Sequence, residues 1–193
     1  MSKRVDRSAG RGGSRGSSVN LSDTPFDRAN RFFELASVEG YDGHDASLPQ
    51  HLSLLEATFT PTPAHPHLAR SKFLLTVPST LCNMSGSLHG GAVALIFDIC
   101  TSVTISVCAK EGFWDSGHVS RTLNCTYLRP AAKGMKVVVE SEVVHLGRRM
   151  GVVTGVIRGA TAEEGGDEVG GSAGKVFYTC EHGKACLEST SRM

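Results

Sequence analysis

Asn83-Met84-Ser85-Gly86-Ser87-Leu88-His89-Gly90-Gly91 runs directly into an apolar segment, Ala92 to Ala109, with one carboxylate, Asp98, near its middle. A glycine pair at a helix start, beside an acid within that helix, suggests catalysis. Gly90 and Gly91 lack a Cβ, so a ligand can approach their amides. The first N–H groups of a helix have no intrahelical acceptor and carry the positive end of its dipole. Such a helix start suits a developing oxyanion.

The elements that position these residues follow from hydropathy and period. Leu88 to Ala109 is about long enough to cross a bilayer, for which roughly 20 apolar residues suffice. A central Asp costs about 2.5 to 3.5 kcal/mol on insertion scales, and His89, Gly90 and Gly91 occupy one would-be boundary. The segment is therefore expected to be a central core helix of a protein with no membrane span. Strands are expected over Ser53 to Thr60 and Ser71 to Val77 before it, and over His118 to Leu128, Met135 to His145, Arg149 to Ile157 and Gly174 to Cys180 after it. These runs are rich in Val, Thr, Tyr and Phe and are bounded by Gly, Pro and charged residues. Short connections such as Leu146-Gly147-Arg148 favour antiparallel pairing. The fold class is α+β, an antiparallel sheet wrapped around one long helix.

The spacing of Asn83, Leu88-His89-Gly90-Gly91 and Asp98, with His118-Val119-Ser120 and Asn124-Cys125-Thr126-Tyr127-Leu128-Arg129-Pro130-Ala131, resembles the hotdog-fold acyl-CoA thioesterases. The likeness is to their PaaI-like and thioesterase-superfamily-member-2-like branch, over Leu52 to His182. The resemblance implies hydrolysis of an acyl-CoA to acid and CoA without a cofactor or metal. It implies that the Gly90 N–H and the Asn83 side chain polarise the thioester carbonyl, and that Asp98 activates water or attacks directly. Ser120 would orient the water, and His89 would hold the geometry near the leaving thiolate. Trp114-Asp115-Ser116 lengthens the connection before the Ser120 strand relative to the family's typical form. Gly91, Arg129, Lys133, Arg148 and Arg149 are candidate substrate contacts, the cations because guanidinium and ammonium groups suit the phosphates of CoA. Family members assemble as homodimers, often paired again as homotetramers.

One geometric constraint stands apart from the resemblance. Gly91 and Asp98 lie on one helix face but about 10 Å apart along its axis, whereas oxyanion donors and base must both meet the reacting atoms at about 3 Å. A second helix running antiparallel across a two-fold axis brings Asp98 of one chain to Gly90 of the other. Each residue also has a structural reading. Asp98 could serve a buried ion pair, His89 a helix cap, Ser120 a solvent-facing strand position and Asn83 a turn. A non-catalytic acyl-CoA sensor on the same fold is the alternative function; a hydratase is disfavoured by the His-Gly-Gly and Asp spacing.

The 193 residues suffice for one domain with a full core, and a formal charge of +1 argues against a nucleic-acid partner. The six cysteines form no Cys-x-x-Cys pair and lie largely in apolar segments, as reduced thiols of an intracellular protein do. Residues 1–22 are a basic Gly/Ser/Arg-rich tail without the apolar core of a secretory signal. A cytoplasmic location is expected, with mitochondrial import as the alternative. The domain is expected over 23–184, opened by a helix Phe26 to Val38 that a capping residue and a proline in Ser22-Asp23-Thr24-Pro25 announce, and 185–193 is expected as a tail. Phe32, Phe33 and Leu35 are expected to pack on the domain, and the acidic stretch Glu163 to Gly171 is expected as an exposed hairpin loop.

Overall fold

The computed structural model describes residues 23–36, 40–165 and 171–187. Its elements are α1 (Pro25–Ala36), β1 (Leu52–Phe59), β2 (Ala69–Thr76), α2 (Gly90–Cys108), β3 (His118–Tyr127), β4 (Lys136–Leu146), β5 (Met150–Gly159) and β6 (Val176–Cys186). The strands form one antiparallel sheet in the order β1-β2-β4-β5-β6-β3. Here is the sheet around one helix that the pattern of apolar runs implies, with β3 crossing to the far edge to pair with β6.

Apolar residues on nearly every side of α2 require that it be enclosed. By length and composition it could cross a membrane, yet 67% of its apolar window is buried inside the protein. From Ile99 to Ile105 every residue is buried. The hydroxyls there are satisfied: Thr104 Oγ1 donates to Cys100 O (2.8 Å) and Ser102 Oγ donates to Asp98 O (2.5 Å). In the N-terminal half one stripe is less covered: Gly91 is exposed, and Ala94, Leu95 and Asp98 are only partly buried. These four positions lie within one face of a 3.6-residue period.

α1 closes the opposite end. Thr24 and Asp27 cap it reciprocally, with Asp27 N donating to Thr24 Oγ1 (3.1 Å) and Thr24 N to Asp27 Oδ2 (2.9 Å). Arg28 then donates to Val107 O (3.0 Å), placing a cation at the negative end of α2. Phe33 meets Phe73 in a tilted ring contact, with centroids 5.5 Å apart. The side chains of Phe32 and Leu35, the end of the expected helix at Val38 and the basic tail lie outside the described residues.

Two expectations need correction. The last strand does not stop at Cys180; it runs to Cys186, pairing with β5 and β3 at once, so Ala185 and Cys186 belong to the sheet rather than to a tail. The stretch after Thr161 is not simply an exposed loop. Thr161 and Glu164 form a capping box around a short 3-10 turn, and Glu164 pairs with Arg158 (2.5 Å), which also holds Glu140 (2.6 Å). Residues 166–170 lie outside the described residues. Among the described residues no disulfide joins the cysteines, and Cys100, Cys108 and Cys180 are buried.

Close approach of helix and sheet centres on Gly155 in β5. A Cβ there would stand 2.8 Å from both Cys180 Sγ and Phe97 Cδ1, closer than real Cβ contacts come. Gly155→Ala is therefore expected to destabilise the fold by about 1–3 kcal/mol through overpacking. Thermal denaturation would check this; an unchanged melting temperature would show that Phe97 swings aside freely.

Candidate active site

The start of α2 is built by the loop that leads into it. Asn83 Oδ1 accepts from Ser85 N (3.1 Å), Ser85 Oγ (2.7 Å) and Ser87 N (3.1 Å), so the side chain ties the loop as an Asx turn. Among the described residues no acceptor takes its Nδ2 protons, which remain available to a ligand. His89 is the N-cap: its Nδ1 accepts the Gly91 N–H at 3.0 Å. The amide of Gly91 is thus occupied, and the residue's role is steric, since a Cβ would lie 3.2 Å from His89 Nδ1. Gly90 differs. Its carbonyl accepts from Tyr127 Oη (3.0 Å), and no acceptor among the described residues takes its N–H. Of the two glycines, Gly90 alone keeps an open amide at the positive helix end.

Two turns along, Asp98 stands in a polar cluster. Ser120 Oγ donates to Asp98 Oδ1 at 2.5 Å, so the longer connection through Trp114-Asp115-Ser116 still delivers the β3 serine to the acid. That connection is anchored by Trp114, whose Nε1 donates to Gly147 O (2.8 Å). Two further residues, both from the C-terminal end of β6, meet the same carboxylate oxygen: Lys184 Nζ at 3.3 Å and His182 Nε2 at 3.4 Å. Lys184 is 2% exposed and His182 fully buried. Thr101 Oγ1 lies 2.6 Å from His182 Nδ1 and 2.7 Å from Phe97 O, and its single proton serves one of them. Donation to Nδ1 leaves Nε2 protonated, turning a proton rather than a lone pair toward Asp98. At 3.4 Å that contact is electrostatic and not a hydrogen bond.

The Asp98 carboxylate is 38% exposed. Burial pushes its pKa up, but the Ser120 hydrogen bond, then Lys184 and His182, outweigh burial, and the net shift is downward. Asp98 is ionised at neutral pH, with Oδ1 occupied and Oδ2 taking no hydrogen bond among the described residues. Burial lowers the Lys184 pKa, and Asp98 opposes that shift. His182 and His118 are each pushed down to about 4, by burial first and by Lys184 next.

The sequence-derived residues do not all converge. Gly90 and Asp98 are eight residues apart on one helix, about 12 Å along its axis, and one chain leaves them separated. Arg129 and Lys133 follow β3, at the end of the sheet where Tyr127 meets Gly90. Arg129 Nη1 donates to Val176 O (2.6 Å). Arg148 and Arg149 sit in the β4–β5 turn, beside the residues that pair with the start of β3. A ten-residue strand separates these two pairs of cations, about 30 Å. Among the described residues no group of His, Cys, Asp and Glu could hold a metal ion.

Residues 85–165 match the thioesterase superfamily family model, a span that includes Gly90, Asp98 and Ser120 and leaves out Asn83, His182 and Lys184. No curated protein matches the chain. Among solved structures, zebra fish thioesterase superfamily member 2 is 20% identical with a TM-score of 0.62, covering 86% of this chain and 100% of that one. The mouse member 2 structure is 19% identical with a TM-score of 0.60, covering 82% and 97%. The E. coli PaaI protein from the phenylacetic acid degradation operon is 12% identical with a TM-score of 0.53, covering 83% and 92%. At these identities the likeness is one of fold, the hotdog arrangement.

The two depressed histidines generate a stability expectation. Between pH 6.5, the ordinary histidine value, and about 4, the unfolded chain binds protons that the folded chain refuses. Stability is then full above 6.5 and falls as pH drops toward 4. Urea denaturation across this window is expected to show that slope, and His182→Gln to remove the share of one proton. A slope untouched by the substitution would mean that His182 is already charged in the folded protein.

Proposed function

We propose that this chain hydrolyses an acyl-CoA thioester to the free acid and CoA. One observation carries the reading: an N-terminal amide at Gly90 that no acceptor among the described residues takes, and an ionised carboxylate at Asp98, both stand on the partly open N-terminal half of α2. The thioester carbonyl oxygen takes hydrogen bonds from the Gly90 N–H and the Asn83 amide, which strengthen as negative charge develops. Oδ2 of Asp98 takes a proton from a water as the water oxygen attacks the carbonyl carbon. The C–S bond then breaks and CoA leaves as the thiolate. Direct attack by Oδ2 would give a mixed anhydride that water cleaves to the same products. Ser120 holds the carboxylate in aim. With Nδ1 of His89 committed to the helix cap, Nε2 is the nitrogen left to face the leaving group.

The site is completed by a second copy of the chain. The separation of Gly90 and Asp98, the less covered Gly91-Ala94-Leu95-Asp98 stripe and an edge strand β3 with exposed Val119 and Tyr127 all support a homodimer whose α2 helices face each other antiparallel. Arg129 and Lys133 then flank the Gly90 side as contacts for the CoA phosphates. Arg148 and Arg149 serve that side only through the other subunit.

Release of free thiol from a panel of acyl-CoA substrates tests the reaction. Asp98→Asn is expected to keep fold and acyl-CoA binding while lowering turnover by about 10²-fold or more. Binding of acyl-CoA by the wild type without turnover would make it a sensor instead. The shared site has its own test. Asn83→Ala is expected to cost about 10²-fold in rate, as for loss of one oxyanion donor. Mixing Asp98→Asn chains with Asn83→Ala chains should yield heterodimers in which one site carries both defects and the other neither. Verified heterodimers that recover no activity would place both halves of the site in a single chain.

A further inference from the structure

We propose that Lys184 is a positioning residue for the reaction at Asp98, its ammonium clamping carboxylate oxygen Oδ1 and the Ser120 and Ser102 hydroxyls so that Oδ2 alone meets water or the thioester. The inference rests on the thioesterase reading for its kinetic consequence, and on proton bookkeeping for its geometry. An ammonium has three N–H donors and no acceptor. Lys184 Nζ has three oxygen partners: Ser102 Oγ at 2.7 Å, Ser120 Oγ at 3.0 Å and Asp98 Oδ1 at 3.3 Å. Both serine protons are already committed. Ser120 donates to Asp98 Oδ1 and Ser102 donates to Asp98 O, each at 2.5 Å. Neither hydroxyl can therefore donate to the lone pair of a neutral amine. The site satisfies a charged lysine and leaves an uncharged one unmatched.

The consequence for Asp98 follows from burial. A carboxylate taken partly out of water tends to acquire a proton, and a protonated acid is neither base nor nucleophile. Lys184 opposes this from β6 while Ser120 does so from β3. His182 on β6 and His118 on β3, which face the same group, are neutral at pH 7 and supply no full charge. Lys184 is thus the one full positive charge in contact with Asp98 among the described residues, and it spends Oδ1 in holding the acid.

The test compares wild type, Lys184→Met and Lys184→Gln, with Asp98 followed by carbon NMR of labelled aspartate and assigned through Asp98→Asn. Removing an opposite charge at this range is expected to raise the Asp98 pKa by about 1–3 units. The acid limb of kcat should move by the same amount with KM little changed, and a fall in kcat at neutral pH, where a carboxyl so shifted is still mostly ionised, reads the lost aim of Oδ2. A merely structural lysine would lower the amount of active enzyme without moving that limb. A folded variant in which neither the carboxyl titration nor the limb moves overturns the proposal, whatever the wild type hydrolyses. A wild type that cleaves no thioester, but whose Asp98 titration rises on Lys184→Met, supports the clamp and sinks the thioesterase reading. If both variants fail to fold, the wild-type titration decides: Asp98 below the ordinary aspartate range supports the clamp, and a value above it overturns the proposal.

Discussion

A single sheet cannot surround a helix completely. Six strands curl around α2 and bury its C-terminal half on all sides, and α1 seals its last turn through Arg28, yet one stripe of the N-terminal half stays less covered. Everything that can do chemistry collects along that stripe or beside it. Gly91 opens it with Gly90 and its free amide alongside, Leu95 and Ala94 line it and Asp98 ends it. The architecture therefore dictates where a ligand can reach, and it keeps Gly90 and Asp98 apart within one chain.

The electrostatics of Asp98 are set by strands that are far apart in the chain and adjacent in the sheet. Ser120 and Lys184 are register partners across the β3–β6 pair, as are Leu123 and His182. The sheet register thus decides which side chains reach the acid, with a bulge between Ser120 and Thr122 adjusting the aim. Gly183, between the two inward residues, has no room for a Cβ, because one would lie 2.5 Å from Thr122 Oγ1.

Much of this was legible in the residues. An apolar run interrupted by one acid and opened by two glycines identified the core helix, and Val- and Thr-rich runs located the strands to within a few residues. The capping of α1 follows from local signals, whereas the place of Ser120 at the site came from the family resemblance alone. What escaped was the end of β6. Glu181-His182-Gly183-Lys184 reads as a polar turn because strand recognition rests on apolar alternation, and here the inward positions are a histidine and a lysine. The period-two continuation from Tyr178 and Cys180 through His182 and Lys184 was the available signal; their charge concealed it. His89 and Gly91 show a different limit, since which amide of a helix start is spent on its cap depends on a rotamer that no spacing encodes.

The register of β3 also bears on the order in which the molecule comes together. β3 leaves α2 with no strand beside it: β2 is taken by β4, and its only partner is made more than forty residues later. Pairings of such sequence separation close late, because the intervening chain must give up its freedom first. During synthesis β1, β2, α2, β4 and β5 can assemble while β3 waits, and β6 then docks between β5 and β3 as the closing wedge. The same event carries Lys184 to Asp98 and Ser120, so the charge that holds the acid arrives with the strand that finishes the fold. A nascent chain arrested before residue 176 is left with two raw sheet edges and an acid lacking its lysine, an object for chaperones rather than an enzyme of reduced rate.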